Sequence, residues 1–296
     1  MADNGERATG EVRRVSAVVD AITLQLGVLS EPKREARDLL SALLDVPRHW
    51  PLLRQDDAID ADMWKRVCVA ASRRAEGAPL AYAVGRANFR HLTLDVDERV
   101  LIPRPETELL VDLVLERCTA GGIVADVGTG SGALAIALAR EGKFDEVIGV
   151  DISSDALDVA RTNAAYYAAM TRTPMRFVQG DLLGSSAVPR GLAAVVSNPP
   201  YISYAEIDEL PSSVRDWEPA VALFSPGGGM EITARLVHQA ATALTPGGLL
   251  AMETDARRAS LTAELLATDA RYANVAVHLD LAGRERFVLA NRRENQ

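Results

Sequence analysis

Downstream of Gly121 the chain repeats one pattern, in which a short apolar run, a turn and a segment with apolar residues at helical spacing follow one another. The apolar runs fall at 123–127, 147–150, 175–178, 193–196 and 249–252, and the helical segments near 133–140, 154–165 and 230–244. Runs this short and this uniformly apolar read as strands buried on both faces, and strand–helix–strand repetition builds a parallel, doubly wound α/β sheet. The last two runs, 275–279 and 286–290, are separated only by a turn centred on Gly283, so they form an antiparallel hairpin at the sheet edge. In an open sheet of this kind ligands bind beyond the carboxyl ends of the strands.

The first strand runs directly into Asp126-Val127-Gly128-Thr129-Gly130-Ser131-Gly132, with a helix after it. Glycines there let the backbone approach a ligand at a helix N-terminus. Asp151 closes the second strand, nineteen residues beyond Gly132, where an acid can accept hydrogen bonds from both hydroxyls of a ribose. Strand, turn, helix, strand and terminal acid together define a nucleotide site. The glycine spacing differs from the dinucleotide fingerprint, and Asp126 lies where a cationic amino group can pair with it. A zwitterionic nucleoside therefore fits better than a pyrophosphate, which makes S-adenosylmethionine the expected cofactor and S-adenosylhomocysteine its product. Asp181, just past the third strand, is a candidate partner for the adenine amino group; its alternative is a turn acid in Gln179-Gly180-Asp181.

Where the fourth strand ends, Asn198-Pro199-Pro200-Tyr201 follows. Two prolines cannot donate to a ladder, so the strand stops and the carbonyls of Asn198 and Pro199 are free to face a ligand. A side-chain carbonyl, backbone carbonyls and an aromatic ring suit a planar group carrying an NH2. Read alone, the stretch is also compatible with a plain strand end and a rim aromatic.

Upstream, from Glu11 to about Ala75, apolar residues such as Val15, Val18, Ile22, Leu39, Leu40 and Leu43 recur at helical spacing, broken near Pro32, Pro47 and Pro51. This predicts a small helical domain at 1–77, with its first ten residues polar and frayed. Glu31, Lys33, Arg34, Glu35, Arg37 and Asp38 give it a mixed-sign surface, read as a solvated face with partner recognition as the alternative. Leu92, Leu94 and Val96 alternate with polar residues, predicting a β-hairpin linker at 78–104 before a 105–296 domain. Pro103-Arg104-Pro105-Glu106-Thr107-Glu108 reads as a helix start.

The net charge of -9 argues against a protein that mainly grips a phosphate backbone. No apolar run approaches the roughly 20 residues that span a bilayer, and the N-terminus lacks a signal-peptide pattern, so a cytoplasmic protein is expected. Cys68 and Cys118 are far apart, and His49, His91, His238 and His278 are scattered. Neither a disulfide framework nor a metal site is expected.

In order, the motifs at 103–108 and 126–132, Asp151, Asp181 and 198–201 resemble the PrmC/HemK family, bacterial methyltransferases that modify the glutamine of the Gly-Gly-Gln motif in class 1 peptide chain release factors. The resemblance covers nearly the whole chain, through Gly283-Arg284-Glu285-Arg286-Phe287-Val288, and Val100 to Glu108 is its most specific stretch. It implies a Rossmann-like class I fold behind a helical, substrate-recognising N-terminal domain. It also implies that Gly128 to Gly132, Asp151 and Asn198 bind the methyl donor with Leu182 beside the adenine, and that Asn198, Pro199, Pro200 and Tyr201 hold the glutamine, with Asn198, Pro199 and Tyr201 as the catalytic group. Two departures stand out. Met252-Glu253-Thr254-Asp255 replaces an acid-x-Gly turn, and Asp216-Trp217-Glu218-Pro219 has Trp where Phe or Tyr often precedes Glu-Pro.

Three other functions share these motifs: a glutamine methyltransferase acting on a ribosomal protein, an adenine-N6 nucleic-acid methyltransferase using the same cup on a flipped base, and a non-catalytic binding protein. The acidic balance disfavours the second, and the intact Asn198 and three glycines disfavour the third. The stretch 203–229 is too long for an ordinary connection and reads as a lid or recognition segment, with a disordered insertion as the alternative.

Overall fold

The computed structural model describes residues 12–118 and 121–294, so the predicted fraying of the first ten residues lies outside the described residues. The chain divides into two compact units, one ending at Arg86 and one starting at Ala87.

The first unit is helical. Helices α1 (Val15–Gln25), α2 (Pro32–Leu44) and α3 (Ala61–Ala75) bury Val15, Val18, Ile22, Leu39, Leu40 and Val67 against one another. Pro32 sits at the start of α2, where its fixed φ suits a helix and its missing N–H costs nothing. Asp60 caps α3 by accepting from the Met63 N–H at 2.7 Å. Within the mixed-sign surface, Glu35 makes a two-pronged pair with Arg74 at 2.9 and 3.1 Å, tying α2 to α3.

A strand pair, β1 (Arg86–Phe89) and β2 (Leu92–Asp95), precedes the second unit's first long helix, α4 (Glu108–Arg117). The chain then alternates: β3 (Ile123–Val127), α5 (Ala133–Glu141), β4 (Glu146–Asp151), α6 (Ser154–Tyr167), β5 (Met175–Gln179), β6 (Leu192–Ser197), α7 (Glu231–Ala243), β7 (Leu244–Glu253), α8 (Ala259–Thr268), and the hairpin β8 (Tyr272–Leu279) and β9 (Glu285–Arg292). One seven-stranded sheet results, in the order β8-β9-β7-β6-β3-β4-β5. The five strands from β3 to β7 run parallel, and β9 and β8 add antiparallel at one edge.

Alternation within each strand feeds two cores. Val124, Val147, Val196 and Leu289 face α4 and α5, while Val127, Val150, Val195 and Val288 face α7 and α8. Every residue of α5 from Ala133 to Ala139 is buried, so this helix lies in the middle of its layer and holds the turn before it in place.

Candidate active site

Strands β3, β4 and β6 end level with one another, with Val127 opposite both Val150 and Ser197. Their following loops, and the one after β5, therefore gather at one edge of the sheet. The Ser197 hydroxyl donates to the Val127 carbonyl at 2.6 Å and fixes the end of β6 against β3. A cavity opens there, walled by Gly128, Gly130, Asp151, Ile152, Leu182 and Asn198, and also by Val221 and Arg235.

The three glycines do different things. All have left-handed φ, at +74°, +53° and +83° for Gly128, Gly130 and Gly132. A Cβ on Gly128 or Gly130 would meet nothing within 4 Å, whereas one on Gly132 would press on Ile136 at 3.2 Å and Ala160 at 3.3 Å. The first two leave backbone surface open to the cavity, and the third lets the turn pack on α6. Gly130 also donates its N–H to Asp151 Oδ2 at 2.9 Å, and Ser153 donates to Oδ1 at 3.0 Å. Burial raises the Asp151 pKa against the pull of these donors.

Asp126 is placed differently from the sequence reading. Its side chain is fully buried beneath the turn, accepting from the Thr129 hydroxyl at 2.6 Å and from the Ala135 N–H at 3.1 Å. It joins the turn to the first turn of α5 and does not line the cavity; nor do Thr129, Ser131 and Gly132, of which Thr129 and Ser131 are buried. Burial pushes the Asp126 carboxyl up to about 7, and its Oδ1 has no hydrogen-bond partner among the described residues. Asp181 and Leu182 both line the cavity. Leu182 takes a left-handed φ of +54°, and Asp181 Oδ2 is paired with Arg235 at 2.5 Å.

Asn198 and Pro200 also line a second cavity, together with Pro199, Tyr201, Arg104 and Leu210. The two cavities thus meet at Asn198. Its Nδ2 donates to Thr107 Oγ1 at 3.2 Å, and Thr107 donates to Glu253 Oε2 at 2.5 Å. Burial pushes the Tyr201 hydroxyl up to about 12, so it stays protonated and offers a ring and an O–H rather than a base.

Several residues that shape the site had no motif to mark them. Asn163, buried in α6, donates to the carbonyls of Asp95 and Ser131 and accepts from the Asp95 N–H, bracing the glycine turn against β2. A single buried amide in an alanine-rich helix was the only available signal. Glu218 accepts from Arg104 at 2.6 Å and from the Ile102 N–H at 3.2 Å, so the Glu-Pro of one departure joins the 100–108 stretch to the long segment. Asp255 of the other departure pairs with Arg258 at 2.7 Å. Among the described residues, no cluster of His, Cys, Asp or Glu is placed to hold a metal ion, and no helix is long and apolar enough to cross a membrane.

Open backbone at Gly128 and Gly130, an acid beyond it and an apolar wall at Ile152, Leu182 and Val221 fit a nucleoside with a charged tail. Fold and site together define a class I methyltransferase, an enzyme whose methyl donor is S-adenosylmethionine. Residues 105–211 match the family described as "Methyltransferase small domain", and residues 19–85 match "PrmC N-terminal domain". The release factor glutamine methyltransferase of Deinococcus radiodurans is 40% identical over 88% of this chain and 91% of its own. That of Moorella thermoacetica is 39% identical over 97% and 98% respectively. The chain belongs to the release factor glutamine methyltransferase family. Among solved structures, a methyltransferase from Pyrococcus furiosus superposes with a TM-score of 0.52 at 17% identity, over 70% of this chain and 91% of its own. The hMettl16 catalytic domain does so at 0.53 and 15%, over 81% and 86%; both likenesses concern the fold.

Proposed function

We propose that this enzyme methylates the side-chain amide nitrogen (N5) of the glutamine in the Gly-Gly-Gln motif of class 1 peptide chain release factors. The observation that carries the reading is the meeting of two cavities at Asn198, one lined by Gly128, Gly130, Asp151 and Leu182 and one by Pro199, Pro200 and Tyr201. The backbone at Gly128 and Gly130, with Asp151, Asp181, Leu182 and Asn198, holds the donor. Asp126, Thr129, Ser131 and Gly132 hold the turn that receives it. When bound, S-adenosylmethionine supplies an electrophilic methyl group on a sulfonium sulfur.

An amide nitrogen is a weak nucleophile because its lone pair is delocalised, so the protein's task is orientation. Asn198 Oδ1 and the Pro199 carbonyl accept the two N–H protons of the glutamine amide, which turns the nitrogen face toward the donor cavity. Tyr201 packs on the amide plane. The helical unit up to Arg86 serves recognition of the protein substrate, with the 86–95 strand pair as the connection to the catalytic unit.

Transfer of labelled methyl to a purified release factor, beside its Gly-Gly-Ala variant and a DNA duplex, tests this. Label on the intact factor alone is the expected result. Label on the duplex would favour a nucleic-acid substrate, and donor binding with no transfer to the factor would point to another protein.

A further inference from the structure

Val100 to Glu108 is the stretch most specific to the family resemblance, and Thr107 within it bridges Asn198 and Glu253. Thr107 lies in a short helical turn (Pro105–Thr107) before α4 and is buried. Glu253 ends β7 and is only 1% exposed. A carboxylate so far from water is costly to keep, and one hydroxyl is its sole hydrogen-bond partner among the described residues. Its other oxygen, Oε1, stands 3.9 Å from Arg286 Nη1.

We propose that Glu253 and Thr107 are positioning residues that fix which way the Asn198 amide faces. The inference rests on the acceptor role assigned to Asn198 above. A threonine hydroxyl has one proton. Glu253 in its ionised form, the one that prevails above about pH 7, is an acceptor and takes that proton, so Thr107 Oγ1 is left with only lone pairs toward Asn198. The amide must then present Nδ2 to Thr107, at the observed 3.2 Å, and Oδ1 lies on the opposite side, with no protein partner among the described residues. An amide flipped by half a turn would set its own NH2 against the NH2 of the incoming glutamine, donor facing donor. The buried carboxylate therefore sets the polarity of a site two residues away through one hydroxyl.

The chemistry of a single substitution distinguishes this from simple packing. Glu253→Gln keeps the shape, but the Arg286 guanidinium draws the new carbonyl and leaves the new NH2 facing Thr107. Thr107 must then accept from residue 253 and donate its own proton to Asn198, which reverses the amide. Thr107→Val keeps the shape and removes the polarity altogether, whereas Thr107→Ser restores the hydroxyl.

Two measurements on the full chain separate this inference from the reading on which it rests. In the wild type, the Asn198 side-chain NH2 should show through-space NMR contacts to the Thr107 side chain that weaken several-fold in Glu253→Gln, whatever the substrate proves to be. No such contact would overturn the inference even if release factor is methylated. In single-turnover transfer to a release factor, Thr107→Val and Glu253→Gln should lose roughly 10- to 100-fold in rate, as misplaced reacting groups do. Donor affinity should be unchanged, and Thr107→Ser should recover most of the rate. Wild-type rates in both Thr107→Val and Glu253→Gln would overturn the inference and leave the proposed function standing.

Discussion

Gly130 and Gly132 stand two residues apart in the same turn, yet substitution should separate them. Gly130→Ala places a methyl group in open cavity at a φ of +53°, so it should cost about 1–2 kcal/mol of stability and weaken donor binding beyond that. Gly132→Ala presses on Ile136 and Ala160 and should lower stability with less effect on donor affinity; calorimetry and thermal melts on both variants check the pair. Asp126 and Glu253 give a pH prediction. Burial is the largest cause of each shift and puts both carboxyls at about 7, above their ordinary values. Between about pH 4 and 7 the folded chain keeps protons that the unfolded chain has released, so each group makes stability fall as pH rises, by up to about 1.4 kcal/mol per unit, levelling off above 7. Denaturation curves at pH 5.5 and 8 should show the chain more stable at the lower value through these groups, with the difference reduced in Asp126→Asn. At this scale the sequence identified residue types well and their directions poorly. Asp126 was legible as an acid beside a glycine turn, but whether it faces a ligand or the helix amide beneath depends on Thr129 and Ala135 closing over it. Thr107, Asn198 and Glu253 are joined across separations of 91 and 146 residues, which no local pattern reports.

The 203–229 segment shows how an element can be present without being periodic. Its length and its prolines and glycines predict a loop, and the structure instead builds it from short helical turns at Tyr204–Glu209, Ser212–Arg215, Ala220–Leu223 and Gly227–Gly229. None is long enough to carry a repeat. The first and last are tied down by Arg258, nearly buried, which donates to Glu206 and Gly228 O at 2.5 and 2.9 Å and to Asp255 at 2.7 Å, while Glu218 anchors the middle through Arg104 and the Ile102 N–H. A Cβ on Gly229 would collide with Tyr201 O and the Arg258 guanidinium, so the segment passes directly over the acceptor loop. Arg258→Met leaves Glu206 and Asp255 without their buried partner and should cost about 3–5 kcal/mol. Hydrogen exchange across 203–229 should rise in that variant, and unchanged exchange would show that the segment is held by other contacts. Strands and long helices were legible because burial on both faces leaves a strand as an unbroken apolar run, and burial on one face gives a helix a period of 3.6. The ends moved by a few residues where turn chemistry decides, as at β7, which begins at Leu244 rather than 249 and follows α7 directly.

Taken whole, the molecule brings together four loops from four parallel strands at one sheet edge, and sequence order alone placed them there because a doubly wound sheet leaves few alternatives. The same topology explains why the donor and acceptor cavities meet. β6 pairs with β3, so Asn198 follows the strand beside the glycine turn, and one residue can face both. Asn198 borders the donor cavity, but its main work is on the acceptor amide. Single-turnover methyl transfer by Asn198→Ala, measured beside its affinity for S-adenosylmethionine, tests it most directly. The rate should fall by roughly 100-fold or more while donor affinity changes only a few-fold; an unchanged rate, or a loss of rate matched by an equal loss of donor affinity, would contradict the claim.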